Sequence, residues 1–453
     1  MTPDNKPSAG PSASGPSSQG QWHLGQLPPA ISLFAIAAIT GMATGLTAFL
    51  LKKVIGGLCV FVQGHFHAGG INLGLLVIPL VGILLAVAFQ RYVARRNLQH
   101  GVDQMQARLK ASRLRIPEVY AWGPFIASTL TLGFGGSAGA EGPIATSGSA
   151  IGSILARKFG LPPQLVRVMI GCGAGAGIAG IFKAPVGGFM FAIEVMGMEF
   201  ASVPLIALII ACLLSGMTCY GLSGFTLDVP LTQVQHFHPE MAGWVIVMGV
   251  FCGLYSLYYR WVAGRLRALF AYIGRPWATA LCSGAILSVL VFVFPALYGE
   301  GYDTMARVID GHFSALSDFS FFSFSGNLSS ALVVGVCGAI ALVKPAACIA
   351  TNSGGGVAGD FAPTLFAGCM AGMFFAGVAS LIPDVNIYAP NFALSAMAAV
   401  MAGVVKAPLM AVFIVIEMTG YFGMMFPVTL AVGASYGTVI LVEHLMRSRA
   451  NAK

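Results

Sequence analysis

The sequence predicts an all-α integral membrane protein with two inverted-topology halves and many tilted, broken or re-entrant helices. Three observations predict it. Of 453 residues, 57% are hydrophobic and only 9% charged, with mean hydropathy +0.83; a soluble domain carries about 25% charged residues. Apolar runs recur along the whole chain. Two pairs of segments look like copies of one device. Ala-Gly-Ile-Phe-Lys-Ala-Pro at 179–185 answers Ala-Gly-Val-Val-Lys-Ala-Pro at 402–408, and each leads to Ile-Glu, at Ile193-Glu194 and Ile416-Glu417. Gly139-Ala140-Glu141-Gly142-Pro143 answers Gly359-Asp360-Phe361-Ala362-Pro363 at nearly the same offset. Gly/Pro-broken apolar segments in matching positions mark repeat-built transporters, whose substrate sits where half-helices meet near the bilayer midplane.

Residues 1–26, rich in Ser, Pro, Gly and Gln, read as a disordered tail. They have no charged n-region leading into an h-region, so no signal peptide is read. The transmembrane domain covers 27–446, with halves roughly at 27–225 and 240–446. Spans are expected near 30–52, 72–93, 121–136, 164–181, 184–198, 201–223, 241–263, 276–297, 329–350, 363–382, 391–405, 407–421 and 425–445. Crossing a bilayer takes about 20 residues. The shorter runs therefore read as broken or re-entrant helices whose free ends face protein or water. Residues 447–453 read as a short cytoplasmic tail, with no soluble C-terminal regulatory domain.

The net charge of +8 could suggest nucleic acid, but its distribution argues against it. Arg91, Arg95, Arg96, Arg108, Lys110, Arg113 and Arg115 share one loop; Arg260, Arg265, Arg267 and Arg275 share another. This is the positive-inside pattern, which puts those loops and both termini in the cytoplasm of a cell membrane protein, read as a bacterial inner-membrane one. The nine cysteines lie in apolar segments and read as buried free thiols rather than disulfides or a metal site. The eight histidines are scattered, and neither H-E-x-x-H nor a G-x-S-x-G elbow occurs, so no enzyme is read.

The chemistry concentrates in two stretches. Glycines up to Gly142 break one helix, and Pro143 suits the first turn of the next, where its missing N–H costs nothing. Residues 353–368 repeat the construction with Pro363. Each gives a helix N-terminus inside the membrane, with free N–H groups and a positive dipole end that favour anions. Glu141 is the anomaly, because an intramembrane acid is a functional hypothesis by default. One reading makes it a cap for its own helix. The other makes it a gate that occupies the anion site when ionised and leaves when protonated.

These motifs resemble the CLC family of chloride channels and chloride/proton exchangers over nearly the whole membrane part. Residues 139–143 are similar to G-[RK]-E-G-P and residues 359–363 to G-x-F-x-P; Lys183-Ala184-Pro185 leads to Ile193-Glu194, and Lys406-Ala407-Pro408 to Ile416-Glu417-Met418-Thr419. The resemblance implies a homodimer with one pore per subunit and Glu141 as the gating glutamate. It implies an anion site lined by backbone amides of Gly142, Ile144, Asp360, Phe361 and Ala362. No cofactor is implied beyond bound chloride; the partners are chloride or another small anion, protons for an exchanger, and lipid.

Several residues depart from the pattern. The best match to the family's G-S-G-I-P is Gln99-His100-Gly101-Val102-Asp103, which makes His100 and Gly101 candidate inner-pore positions, with a solvated, cytoplasm-facing His100 as the alternative. Val195 stands where exchangers often carry a proton-transferring glutamate, which favours a channel over an antiporter. Transport of fluoride or nitrate stays open. Tyr436 reads as packing rather than an ion ligand. Asp360 is expected to turn from the ion and cap the helix at Pro363. Glu194 and Glu417 are expected to bond helix ends, with Lys183 and Lys406 structural.

Overall fold

The computed structural model describes residues 29–65, 73–198, 201–227, 229–316, 330–383, 385 and 387–451. The tail expected at 1–26 lies outside them. In chain order the helices are α1 (Pro29–His65), α2 (Ile78–Ala88), α3 (Gly101–Lys110), α4 (Val119–Gly133), α5 (Glu141–Lys158), α6 (Pro163–Phe182), α7 (Pro185–Glu194) and α8 (Ser202–Leu222). The second half contributes α9 (Ala242–Ile273), α10 (Pro276–Val293), α11 (Tyr302–Ile309), α12 (Ser330–Ser353), α13 (Phe361–Ala379), α14 (Ala389–Val405), α15 (Pro408–Thr419) and α16 (Met425–Asn451). A π-helical turn, Phe89–Ala94, continues α2.

Among the described residues, eight helical segments are long and apolar enough to cross a membrane. The chain is a multi-pass membrane protein. Expected spans and observed helices correspond in order, with three extensions. α1 runs on to His65, α9 to Ile273 and α16 to Asn451, well past their apolar runs. A hydrophobic run marks where lipid ends, whereas a helix ends only where its backbone is broken or capped. The short α3 and α11 were not expected as helices. All nine cysteines are free, and seven are buried, but Cys59 is half-buried and Cys282 exposed, against the reading of nine buried thiols.

The duplication extends to local chemistry. Two residues beyond the ends of α4 and α12 the chain turns at a glycine of positive φ, Gly135 (+98°) and Gly355 (+107°). The hydroxyl of Thr131 accepts from the amide of Val357, while that of Thr351 accepts from the amide of Ser137, each at 3.0 Å. The two terminations therefore hold each other. α6 and α14 both end on a lysine in the left-handed region, Lys183 and Lys406. α6 packs against α1, α5 and α8; α14 packs against α9, α13 and α16. Both are buried over most of their length and form the two centres of the core.

α7 and α15 cap each other. Glu417, near the end of α15, accepts from the amides of Val186 (3.1 Å) and Gly187 (2.8 Å) in the first turn of α7. Glu194, at the end of α7, accepts from Leu409 (3.1 Å) and Met410 (2.8 Å) in the first turn of α15. Carboxylates at helix N-termini stabilise by about 0.3–1 kcal/mol each, and up to about 2 when partly buried. Lys183 donates to the carbonyl of Thr226 at 2.7 Å and Lys406 to Glu443 at 2.8 Å. Each helix end thus has a named partner.

Candidate anion site

α5 and α13 begin the same way. Ala140 and Asp360 are their N-caps, Glu141 and Phe361 their first residues, and Pro143 and Pro363 their third. A helix leaves its first four N–H groups without an internal partner. Proline removes the last of these in each helix. Three amides remain per half: Ala140, Glu141 and Gly142 in one, Asp360, Phe361 and Ala362 in the other.

Glu141 reaches across to the opposite half. Its Oε1 accepts from the amides of Phe361 (2.6 Å) and Ala362 (3.2 Å). The residue is 1% exposed, and its Oε2 has no hydrogen-bond partner. It is not a cap for its own helix, because it is the first residue of α5 and its carboxylate serves α13. Gly139 and Gly359 give the carboxylate room; a methyl group on either would overlap it. Beside it, Glu300 Oε1 accepts from the amide of Ala140 at 2.9 Å.

Ile144 does not belong to the free set. Its amide bonds Ala140 O at 3.1 Å as the first internal bond of α5. Free donors end at Gly142, because Pro143 has no N–H. Asp360 corrects a second expectation. It turns away from the site but caps nothing: Oδ1 accepts from Asn352 Nδ2 (2.6 Å) and Cys348 Sγ (3.3 Å), and Oδ2 from Arg267 (3.1 Å). An N-cap side chain serves the second or third helical amide. Here the second is taken by Glu141, and the third is a proline.

His100 is exposed and left-handed (φ 49°) at the start of α3. It lines a cavity of about 910 Å³ with Arg91, Arg95, Arg96 and Arg267, which reaches Gly354 and Gly355 of the second broken loop. Gly101 lies against Thr146 of α5, where a Cβ would collide. Val195 ends α7, half-buried, its carbonyl accepting from Gln106 at 2.5 Å. Tyr436 is half-buried on α16.

The sequence reading missed Lys344. It is fully buried in α12, donates to Ser137 Oγ at 2.8 Å, and lies 4.7 Å from the ring centroid of Phe366. The signal was present, since a lone lysine in the 329–350 run meets the same criterion that singled out Glu141. Glu300, in a loop, carried no such signal.

Fold and site together define a class: an integral membrane protein of two inverted repeats whose broken helices meet around a buried carboxylate–amide contact. The family model described as voltage gated chloride channel matches residues 81–439, and the chain belongs to this family, the CLC family. The chain is 27% identical over 323 residues to the H(+)/Cl(−) exchange transporter ClcA of Vibrio vulnificus (strain YJ016), covering 69% of the chain and 64% of that protein. It therefore spans about two thirds of the length of such relatives. It is 24% identical over 428 residues to a putative chloride channel protein ClcB-like of Ralstonia nicotianae, covering 90% of the chain and 93% of that protein. Among solved structures, a slow cyanobacterial Cl⁻/H⁺ antiporter superposes with TM-score 0.75 at 20% identity, over 94% of this chain and 99% of that one. A CLC-type fluoride/proton antiporter gives 0.72 at 20% identity, over 90% and 94%.

Proposed function

We propose that the chain transports a small anion across the membrane, chloride first, with Glu141 as its gate. The observation that carries this is the Glu141 carboxylate on the amides of Phe361 and Ala362. Its oxygen stands in for an anion at a helix N-terminus, where dipole and free donors favour negative charge. When the acid is protonated it leaves, and the transported ion takes those amides, with Asp360 and Gly142 completing the donor set. Glu300 is held on the Ala140 amide, and the buried Lys344 bonds Ser137 of the same loop. The basic cavity at His100, with Gly101 next in the chain, serves as the inner approach to the site. The rest of the proposal is a homodimer with both termini in the cytoplasm of a bacterial inner membrane, no cofactor and no enzymatic activity.

Val195 supports conduction without proton coupling, because a valine cannot relay a proton. Proton-coupled exchange is the second reading, supported by the names of the ClcA relatives. Purified protein in liposomes under opposed chloride and pH gradients separates them. A reversal potential that follows chloride alone supports the channel. Chloride-driven proton uptake overturns it in favour of the exchanger, and absence of any chloride flux overturns both.

A further inference from the structure

We infer that Lys344 is the fixed counter-charge of the anion site, balancing either the Glu141 carboxylate or the single monovalent anion that replaces it. This rests on the reading of Glu141 as the gate.

Lys344 lies inside α12, 0% exposed, one residue before Pro345. Its ammonium donates to the hydroxyl of Ser137 at 2.8 Å and sits 4.7 Å from the ring centroid of Phe366. Ser137 belongs to the loop that ends in Glu141, and Phe366 lies in the second turn of α13. The ammonium is therefore fastened to both half-sites. Both partners are neutral, and a hydroxyl and an aromatic ring do not neutralise a buried cation. Buried charges persist where an opposite charge compensates them. The acids held where the Ser137 loop meets α13 are Glu141, on the Phe361 and Ala362 amides, and Glu300, on the Ala140 amide. Glu300 is fixed on the Ala140 amide, and Glu141 keeps Oε2 unpartnered.

The consequence is an exchange of equal charges. With Glu141 ionised and seated, one carboxylate on the Phe361 and Ala362 amides balances the charge of Lys344. When Glu141 takes a proton and withdraws, the site loses the negative charge that had compensated the buried lysine. One monovalent anion restores the balance; a divalent anion overshoots it beside Glu300. The charge balance therefore favours a monovalent anion over sulfate.

The test uses the full chain carrying Glu141→Gln, so that the gate no longer competes, and reads chloride affinity by isothermal titration calorimetry in detergent. Chloride binding by this parent checks the gate reading separately; no binding there sinks that reading and this inference with it. Adding Lys344→Met is expected to weaken chloride binding about tenfold or more, the scale on which an opposite charge at close range acts. Lys344→Arg is expected to keep it within about threefold, which a packing role for the lysine would not produce. Equal affinity in parent and Lys344→Met overturns the inference. If Lys344→Met does not yield folded protein, Ser137→Val in the same parent unfastens the ammonium. Weaker chloride binding there supports the inference, and unchanged binding overturns it.

Discussion

Gly139 and Gly359 exchange both of their backbone hydrogen bonds, at 3.1 Å and 2.6 Å, as an antiparallel bridge between the two halves. Two residues further along each strand a helix begins, α5 at Glu141 and α13 at Phe361. The bridge therefore fixes how far the first residue of one helix lies from the first amides of the other. Phe361 occupies in the second half the place that Glu141 occupies in the first. Only one of two equivalent positions carries an acid, so a symmetric frame holds an asymmetric contact.

That geometry makes Gly359 a determinant of gating. A methyl group at 359 would overlap the Glu141 carboxyl group and crowd the Gly142 amide. Gly359→Ala is expected to push Glu141 off the Phe361 and Ala362 amides and to cost about 1–3 kcal/mol of stability, the usual range for overpacking. Chloride flux in liposomes should become less dependent on pH than in the natural protein. An unaltered pH profile would count against the contact as the gate.

Glu141→Gln tests the same contact by chemistry. An ionised carboxylate is a roughly twofold stronger acceptor for amide N–H groups than a neutral carbonyl. Glutamine keeps the shape and loses that advantage. In the natural protein, flux should rise as pH falls, since protonation removes the competing charge. In Glu141→Gln, flux should stay near the acid maximum at every pH. A variant that still closes at high pH would take Glu141 out of the role.

Much of this was legible from residue types. Gly and Pro mark the helix breaks at 133–143 and 353–363, and one acid in an apolar run marks the site. The target of that acid was not legible, because it depends on how two loops 220 residues apart cross. Ile144 was misplaced for a countable reason: free amides stop at the third helical residue, and Pro143 occupies it. Asp360 was misread because capping is usually local, whereas its local amide was already taken from across the repeat. Lys344 was overlooked inside a run judged by its apolar average.

The paired caps of α7 and α15 predict equal losses. Glu194 and Glu417 each accept two amides at the same pair of distances, 3.1 and 2.8 Å. Glu194→Ala and Glu417→Ala should each lower stability by about 1–2 kcal/mol, the range for a lost cap. Thermal melting in detergent should show similar shifts for the two. A large effect from one and none from the other would contradict their structural equivalence.

Asp360 joins two interactions of different worth, and substitution separates them. Its ion pair with Arg267 is solvent-exposed, with the two side chains 48% and 32% accessible. Such pairs contribute about 0–1 kcal/mol. Its bond to Asn352 Nδ2 is short at 2.6 Å, and Asn352 is only 5% exposed. Removing the acceptor leaves the buried Asn352 amide only its long 3.9 Å contact with Cys348 Sγ, at about 1–3 kcal/mol. Arg267→Ala should therefore barely move the melting temperature, and Asp360→Ala should lower it clearly. Asp360→Asn keeps an acceptor oxygen for Asn352 and should fall between the two. Because the Asp360 side chain points away from the amides of Phe361 and Ala362, Asp360→Asn should leave the pH dependence of flux intact. A changed pH profile in that variant would place the Asp360 charge within the anion site after all.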